Sequence, residues 1–426
     1  MIKKILNKVK KNSFLRKSIA LLAALRYSFP SRRLDFIGVT GTTGKTTTTF
    51  MIKSILEEAG IKTGLIGTAG YYLGEEVIYY QGKGPGTTPD PFYLHKLLKK
   101  MVEKDIKTVI MEVSSYGLMY WRTYGVNFKT AVLTNISYNH HIAVHGSMEN
   151  YVAEKLKLFL YLSPKATAVL PKESDYFNLF EKNTKAKIVS YGLPSLNDIS
   201  AEIKESNQNG IKAEICFDNR KIDLNLKLPG TFNLYNALAA IGAARSFSVS
   251  DSTIKNGLEK IVHIPGRGEL IESKAPFNIM VDKANTPVAF EGVTELIKSF
   301  NPSRKIVVYG YFEEIPKEGR EELARIATDF FDLVIITEDD PMGQSPEKGA
   351  EDFLAFAKKN NILPEKYLTI INRKEAIREA IRRAGKNDFI AILGRGDEKM
   401  MVYKEKLVPF DDREKTREVL KEEKYL

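Results

Sequence analysis

The stretch that decides the fold spans residues 36–56 and reads FIGVTGTTGKTTTTFMIKSIL. It predicts a buried strand, a glycine-rich turn and an amphipathic helix, which is the context of a phosphate-binding loop. The common spelling G-x-x-x-x-G-K-[ST] would require glycine at Val39, but the glycine stands one position earlier, at Gly38. Backbone N–H groups of the turn are expected to face phosphate, while Lys45 neutralises β and γ oxygens and Thr46 ligates Mg²⁺. The sequence therefore predicts a nucleoside-triphosphate site on a shortened loop.

The composition indicates a globular protein without disulfides. Its 426 residues suffice for two or three domains, and 43% of them are hydrophobic. The single cysteine, Cys216, excludes a disulfide framework and a zinc ribbon, and it favours a reducing, cytoplasmic location. No apolar run approaches the roughly 18–20 residues needed to span a bilayer. The net charge of +11 is spread along the chain with acids interleaved, which favours polyphosphate ligands and predicts no nucleic-acid partner.

Residues 1–33 form a basic amphipathic segment. Seven positive charges precede Ser18, and the apolar run that follows, residues 19–25, is short. The run is short, Arg26 follows it, and the first predicted core strand begins almost at once, which together argue against a secretory signal. We expect one or two helices packed on the nucleotide domain. A peripheral contact with a membrane surface is the alternative.

The remaining pattern predicts an α/β fold in two blocks. In residues 34–247, alternating strand and helix signals predict a mostly parallel sheet, and period-two alternation over residues 198–228 predicts an antiparallel insert. Residues 248–270 are assigned to a linker or hinge, and residues 271–426 to a six-element, Rossmann-like domain. The predicted strands of the two blocks are 35–40, 107–115 and 129–137, and then 277–284, 305–312, 332–340, 367–373 and 388–396.

Several motifs in fixed order give the loop a family. They are TGTTGKTTT (40–48), TTPDP (87–91), MEVSSYGL (111–118), TNIS to HG (134–146), MENYVAEKLKLF (148–159), LPGTFNLYNALAA (228–240), PGRGE (265–269) and VDKANTP (281–287). This set resembles the Mur ligases, the ATP-dependent amino-acid ligases of cell-wall synthesis, and among them the MurE type. The resemblance implies a P-loop central domain and a C-terminal ligase domain, with ATP and Mg²⁺ as cofactors. It also implies that a carboxylate, such as that of UDP-N-acetylmuramoyl-dipeptide, is phosphorylated by ATP and that an amino acid then attacks the acyl phosphate.

The resemblance assigns roles residue by residue. Catalysis falls to Lys45, Glu112, Lys155 and Arg267. The ATP contacts are Thr40, Gly41, Thr42, Thr43, Gly44, Lys45, Thr46, Thr47, Asn233, Asn236, Arg267 and Asp282. The substrate contacts are Thr87, Thr88, Ser114, Arg122, Asp339, Asp340 and Glu398. The Mg²⁺ ligands are Thr46, Glu112, His141 and Lys155, the last as a carbamate. Glu112 has independent support, because it ends a predicted buried strand, where a metal-binding carboxylate of an open α/β sheet belongs. Lys155 has no support beyond the resemblance.

The match also departs from the family. Only 33 residues precede the first predicted block, so a separate N-terminal uridine-binding domain is expected to be missing, and the carboxylate substrate stays open. The metal-linked histidine is His140 or His141. The family's DNPR reads DDPM here, and Met342 lacks the guanidinium that would bind a second carboxylate, which argues against diaminopimelate as the amine. Asp339 and Asp340, with Asp397 and Glu398, are instead expected to hold a cationic side chain.

Two further hypotheses follow from these departures. The first is a catalytically impaired, nucleotide-binding pseudo-ligase that acts through a partner. The second keeps the chemistry with another substrate, as in folylpolyglutamate synthetases or amidating relatives. Folate ligases lack TTPDP and EVSS, and the amidating type carries a four-cysteine ribbon, so the ligase of cell-wall precursors is the leading interpretation. The oligomeric state and the identity of the amino acid are not predicted.

Overall fold

The computed structural model describes residues 14–79, 86–137, 144–312, 315–404 and 406–426. The chain divides into two compact units, the first ending at Val262 and the second beginning at His263. Within the described residues the α-helices are α1 Phe14–Arg26, α2 Lys45–Glu58, α3 Pro91–Glu103, α4 Ser115–Met119, α5 Met148–Leu160, α6 Phe177–Lys182, α7 Thr231–Arg245, α8 Asp251–Glu259, α9 Pro287–Lys298, α10 Lys317–Phe330, α11 Lys348–Lys359, α12 Arg373–Arg383 and α13 Asp412–Glu422.

The strands follow the same numbering along the chain. They are β1 Asp35–Thr40, β2 Thr63–Gly67, β3 Gly70–Leu73, β4 Glu76–Ile78, β5 Thr108–Glu112, β6 Phe128–Leu133, β7 Thr167–Pro171, β8 Lys187–Gly192, β9 Ile199–Asn207, β10 Gly210–Phe217, β11 Arg220–Leu226, β12 Glu269–Leu270, β13 Asn278–Asp282, β14 Lys305–Tyr309, β15 Leu333–Ile336, β16 Tyr367–Thr369, β17 Phe389–Leu393, β18 Met400–Tyr403 and β19 Lys406–Pro409.

One large sheet forms the first unit. Its strand order is β11-β10-β9-β8-β7-β6-β1-β5-β2-β3-β4, with parallel pairing from β9 to β2 and antiparallel hairpins at both edges. The predicted α/β fold and its antiparallel insert are confirmed. The insert continues the main sheet, because β9 pairs with β8 in parallel at Tyr191 and Ile199.

The loop strand occupies the middle of this sheet. β1 lies between β5 and β6 and is buried from Phe36 onward, as expected for a strand covered on both faces. α2 follows the loop and ends in a Schellman motif, in which Ile61 N–H donates to Leu56 and Gly60 N–H donates to Glu57. Gly60 has the positive φ of 75° that this ending requires. Because β1 pairs in parallel with both β5 and β6, the carboxyl ends of these three strands meet at one edge of the sheet.

The N-terminal helix α1 packs on the first unit through small residues. Ala20, Ala23 and Ala24 are buried, and α1 contacts α3. A 3₁₀ turn at Pro30–Arg33 leads from α1 into β1. Among the described residues, no helix has both the length and the apolar character that crossing a bilayer requires.

The second unit is a smaller α/β domain. Its sheet has the order β12-β13-β17-β14-β15-β16, in which β12 is antiparallel and the other five strands are parallel. The five predicted strands are present, although β16 is only three residues long. A hairpin of β18 and β19, which the sequence did not predict, follows the last parallel strand and precedes α13.

Candidate active site

Two glycines shape the phosphate loop at the end of β1. Gly41 has φ 155° and Gly44 has φ 80°. A Cβ on Gly41 would lie 1.8 Å from Thr134 Oγ1, and a Cβ on Gly44 would lie 2.4 Å from Asn236 Oδ1. Both positions therefore need glycine for space and for their backbone conformation. The close approach of neighbouring side chains fixes the loop against β6 and α7.

Asn135 holds the middle of the loop, a role that the sequence did not reveal. Its Oδ1 accepts from Thr43 N–H at 3.1 Å, its Nδ2 donates to Thr43 Oγ1 at 3.0 Å, and its carbonyl accepts from Thr42 N–H at 3.0 Å. Thr42 Oγ1 lies 3.1 Å from Tyr151 OH. The N–H groups of Thr42 and Thr43 are thus bonded within the protein, which leaves the N-terminus of α2, from Lys45 onward, as the part of the loop suited to an anion. Asn135 belongs to the TNIS motif, which was the available signal.

Two lysines from different elements converge on one backbone carbonyl. Lys45 Nζ donates to Gly41 O at 2.9 Å and to Thr42 O at 3.0 Å, and Lys155 Nζ donates to the same Gly41 O at 2.7 Å. Lys155 is 1% exposed, and no carboxylate of the described residues forms an ion pair with it. Burial, reinforced by the charge of Lys45, holds the pKa of Lys155 well below that of an ordinary lysine. Lys155 is therefore a buried amine beside the phosphate loop.

Glu112 ends β5 next to the loop strand. It pairs in register with Val39 and is fully buried. Its Oε1 accepts from Thr68 N–H and its Oε2 from Thr68 Oγ1, each at 3.1 Å, and Thr68 Oγ1 lies 2.9 Å from Thr87 Oγ1. A Cβ on Gly67 would lie 2.4 Å from Glu112 Oε1, so glycine is needed there as well. Thr68, which was not among the predicted residues, orients the carboxylate that was predicted to bind metal.

The predicted substrate residues of this unit form one hydrogen-bonded group. Thr88 Oγ1 donates to Glu112 O at 2.9 Å and accepts from Ser114 N–H at 2.9 Å. Arg122 Nη1 donates to Thr88 O at 2.6 Å, and Ser114 Oγ caps α4 by accepting from Gly117 N–H at 3.0 Å. These bonds explain the local structure. The role of these residues in binding substrate stays a prediction.

The two asparagines predicted to contact ATP lie beside the loop. Thr48 Oγ1 donates to Asn236 Oδ1 at 3.3 Å, and Asn236 Nδ2 donates to Asn233 Oδ1 at 3.4 Å. Asn233 Nδ2 in turn donates to Pro229 O at 2.8 Å. The hydroxyl of Thr40, at the end of β1, is buried without a hydrogen-bond partner among the described residues. An unpaired buried hydroxyl at this edge, together with the glycine cradle, fits a site whose polar ligand completes it.

A histidine outside the predicted set lies in the same region. His145 is 6% exposed, and its Nε2 lies 3.0 Å from Ser115 Oγ. Burial, with the charges of Lys155 and Lys157, lowers its pKa to about 4, so the ring is neutral at physiological pH. The imidazole ring of His145 lies next to the ring of Tyr151, with 5.5 Å between the two ring centroids. The HG ending of the motif at residues 134–146 was the only signal for it, and the predicted ligand His141 lies outside the described residues.

Arg267 and Asp282 belong to the second unit. Arg267 Nη2 lies 3.2 Å from Asp397 Oδ1. Asp282 Oδ2 accepts from Gly268 N–H at 2.6 Å, and burial raises the pKa of this carboxyl to about 6, against the opposing charge of Arg267. The PGRGE motif is therefore tied to the ends of β13 and β17 by two buried carboxyl groups. The predicted ATP contacts of Arg267 and Asp282 stay predictions.

The acids expected to hold a cationic substrate side chain bind cations of the protein itself. Arg395 Nη1 donates to Asp339 Oδ1 at 3.1 Å and to Asp340 Oδ1 at 2.5 Å, and Lys283 Nζ donates to Glu398 Oε1 at 2.6 Å. Burial raises the pKa of Asp339 to about 7. Arg395, in the segment GRGDE (394–398), was not among the predicted site residues. Any substrate group bound here would join an existing network of ion pairs.

Comparison with known proteins settles the family. The sequence matches the Mur ligase middle domain over residues 39–244 and the Mur ligase, glutamate ligase domain over residues 266–396. A UDP-N-acetylmuramoyl-L-alanyl-D-glutamate--2,6-diaminopimelate ligase from Clostridium tetani is 36% identical over 414 residues, covering 97% of this chain and 82% of the relative. The chain belongs to the Mur ligase family. A Mur ligase of the same printed name from Aquifex aeolicus is 35% identical over 406 residues, covering 95% of this chain and 81% of that protein.

Solved structures agree on the fold. A UDP-N-acetylmuramoyl-L-alanyl-D-glutamate--2,6-diaminopimelate ligase has a TM-score of 0.64 at 23% identity, covering 96% of this chain and 84% of that one. MurF ligase from Thermotoga maritima, in complex with ADP, has a TM-score of 0.69 at 18% identity, covering 94% and 84%. Mur ligases are ATP-dependent enzymes that form carbon–nitrogen bonds, so the predicted enzyme class is confirmed. The comparisons give no support to the pseudo-ligase alternative.

Proposed function

We propose that this Mur ligase joins an amino acid to the carboxylate of a UDP-N-acetylmuramoyl peptide, with conversion of ATP to ADP and phosphate. The curated relatives carry this activity in their names. The observation that carries the proposal is the convergence of Lys45 and Lys155 on Gly41 O, next to the buried carboxylate of Glu112. That arrangement sets two amines and one carboxylate around the loop that is proposed to bind the phosphates.

The chemistry consists of two displacements. An oxygen of the substrate carboxylate attacks the γ-phosphorus, and the bond to the β–γ bridging oxygen breaks, giving an acyl phosphate and ADP. The amino group then attacks the acyl carbon, phosphate leaves, and the nitrogen loses a proton. Charge accumulates on the transferring phosphoryl group, so stabilisation by fixed positive charge and N–H dipoles dominates catalysis. Lys45 and the N-terminus of α2 supply both in this chain.

The residues present fit Mg²⁺. Glu112 and Thr46 offer the carboxylate and hydroxyl oxygens that this hard cation prefers. The bound ion would neutralise phosphate charge. Thr68 keeps the Glu112 carboxylate pointed at the carboxyl edge of the sheet through two hydrogen bonds. We therefore propose Glu112 and Thr46 as Mg²⁺ ligands.

Lys155 is proposed to act as a carbamate. Burial lowers the pKa of Lys155 and so favours the neutral amine, which is the form that reacts with carbon dioxide. The reaction forms an N–C bond, releases one proton and converts a buried amine into a carboxylate-like group. The carbamate would then add a further oxygen ligand for metal next to the phosphate loop.

The amino acid is proposed to lack a second carboxylate. The relatives named for 2,6-diaminopimelate give the comparison, but Met342 occupies the position where the resemblance calls for arginine. Met342 N–H donates to Val402 O at 2.9 Å, and its φ is 48°, so a turn closed against β18 fixes its backbone. A thioether cannot form the bidentate pair that selects a carboxylate. We expect lysine or ornithine to be preferred over diaminopimelate.

Phosphate release from ATP tests these proposals. Purified protein is incubated with UDP-N-acetylmuramoyl-dipeptide, Mg²⁺, bicarbonate and one amino acid at a time, and the Lys45→Ala variant serves as the blank. Release that requires both the peptide and the amine supports the ligase, and the amine with the highest rate fixes the specificity. Release no greater than that of the variant for every amine would contradict the proposed substrate. Fastest release with diaminopimelate would contradict only the proposed amine.

A further inference from the structure

The helix α1 faces the solvent with its large residues. Its small residues Ala20, Ala23 and Ala24 are buried against the first unit, which is the reverse of the usual arrangement of a surface helix. The exposed apolar residues of α1 are Phe14, Leu15, Ile19, Leu21, Leu22 and Leu25, with Leu15 72% and Leu25 61% exposed. Contiguous exposed apolar surface of this kind marks an interaction site rather than a random surface feature.

Specific contacts hold the helix in this orientation. Arg16 Nη1 donates to Met119 O at 2.9 Å, and its guanidinium lies 4.4 Å from the ring centroid of Tyr120. Lys17 Nζ lies 4.1 Å from the ring centroid of Trp121, which is the single tryptophan of the protein. Rotation of α1 to bury its leucines would break these cation–π and hydrogen-bond contacts. The apolar face is therefore presented outward by the fold.

The charge around this face indicates its partner. Residues 1–34 contain ten lysines and arginines and no acidic residue. Arg26, Arg32 and Arg33 are exposed on or just after the helix. Lysine is depleted at protein–protein interfaces, so a segment this rich in basic residues argues against a protein partner. A single-sign cationic segment next to an apolar helix face matches an anionic lipid surface instead.

We propose that α1 docks on an anionic lipid surface. Its exposed apolar residues, here called the leucine face (Phe14, Leu15, Ile19, Leu21, Leu22 and Leu25), insert their side chains among the headgroups. The exposed Arg26, Arg32 and Arg33 contact lipid phosphates, and the rest of the first unit stays outside the bilayer. This interaction is independent of the ligase chemistry, because none of the residues on the leucine face belongs to the candidate active site.

Vesicle sedimentation of the full-length protein tests the proposal. The probes are phosphatidylcholine vesicles with and without phosphatidylglycerol. The test variant is Leu15→Asp with Leu22→Asp, and the control is Leu196→Asp with Leu363→Asp, which changes the charge equally at residues 90% and 58% exposed elsewhere. We expect binding only to vesicles that contain phosphatidylglycerol, weakened at least about tenfold in the test variant and by added salt, and retained in the control.

Three results would overturn the proposal. They are no sedimentation with either vesicle, equal sedimentation of test and control variants, and a concentration-dependent dimer that the test variant abolishes. The last would assign the face to a second copy of the chain. Emission of Trp121, which is 6% exposed beneath Lys17, checks that α1 stays in place in both variants. An unchanged emission spectrum makes loss of binding attributable to the leucine face.

Discussion

Replacing Lys155 by methionine should stabilise the apo protein while abolishing its activity. The amine is buried, and among the described residues no carboxylate compensates its charge. Burying a polar group without a full set of partners costs about 3 kcal/mol, and the lost hydrogen bond to Gly41 O contributes about 1 kcal/mol in the other direction. Gly41 O is not left unpaired, since Lys45 Nζ still donates to it at 2.9 Å. We expect a net gain of about 2 kcal/mol in the free energy of unfolding near neutral pH.

The stability difference between wild type and Lys155→Met should depend on pH. The folded-state pKa of Lys155 is lowered from its ordinary value of 10.5, so between these two values the unfolded chain binds one more proton than the folded chain. Wild-type stability therefore rises with pH across that window by about 1.4 kcal/mol per unit relative to the variant. The advantage of Lys155→Met is largest at the acidic end of the window and shrinks toward pH 10.5.

Urea unfolding of both proteins between pH 7 and 10, in buffer free of carbon dioxide, measures the difference. Lys157→Met is the matched control two positions along α5. Lys157 pairs with Glu154 at 2.5 Å, so its loss leaves a carboxylate unpaired and should destabilise the protein. A Lys155→Met variant less stable than wild type, or a difference that does not change with pH, would refute the reasoning.

Three other variants probe single features. Gly44→Ala should lower the free energy of unfolding by about 2–3 kcal/mol and remove ATP binding, because a Cβ at φ 80° would lie 2.4 Å from Asn236 Oδ1. Wild-type affinity for ATP in a calorimetric titration of the variant would contradict this. His95→Leu should stabilise the protein by about 1–2 kcal/mol, since both ring nitrogens lack partners among the described residues. Burial lowers the pKa of His95 to about 4 from 6.5, so wild-type stability should fall as pH drops through that window and the variant should show a smaller fall in thermal melts. Arg373→Met should lower the free energy of unfolding by about 3–5 kcal/mol, because it leaves Asp412 buried and unpaired. Adding Asp412→Leu should recover most of this loss, measured by urea unfolding. Equal stability of the single and double variants would contradict the pairing argument.

Local signals in the sequence predicted much of the fold. The strand from Asp35 to Thr40 and the helix beginning at Lys45 follow directly from the apolar run and the glycine turn. The strand Thr63–Gly67 was missed, because two of its five residues are glycines and carry no alternation. The joining of the insert to the main sheet also escaped prediction, since pairing of Tyr191 with Ile199 depends on packing that no local pattern encodes.

The candidate site divides in the same way. Lys45 could be read from the loop itself, whereas the burial of Lys155 depends on how α5 packs and could not be read from a lysine in an amphipathic helix. The acidic residues of the second unit misled for a related reason. Their charge is visible in the sequence, but the arginine that neutralises Asp339 and Asp340 is Arg395, two α-helices and two strands further along the chain. Distant ion pairs become visible only in the folded chain.

The shared carbonyl of Gly41 has a genetic consequence. Because the acceptor for both lysines is a main-chain atom, no substitution can delete it, and selection at this codon acts only against the presence of a side chain. The nearest obstacle to an alanine there is Thr134 Oγ1, 1.8 Å from the new Cβ, and the φ of 155° adds backbone strain that remains whatever residue stands at position 134. In a strain that depends on this gene and carries Gly41→Ala, second-site suppressors should therefore map to codon 134, encode smaller residues and restore growth in part. A tolerated change at position 41 would therefore be accompanied by a change at position 134, although 93 positions separate the two in the sequence.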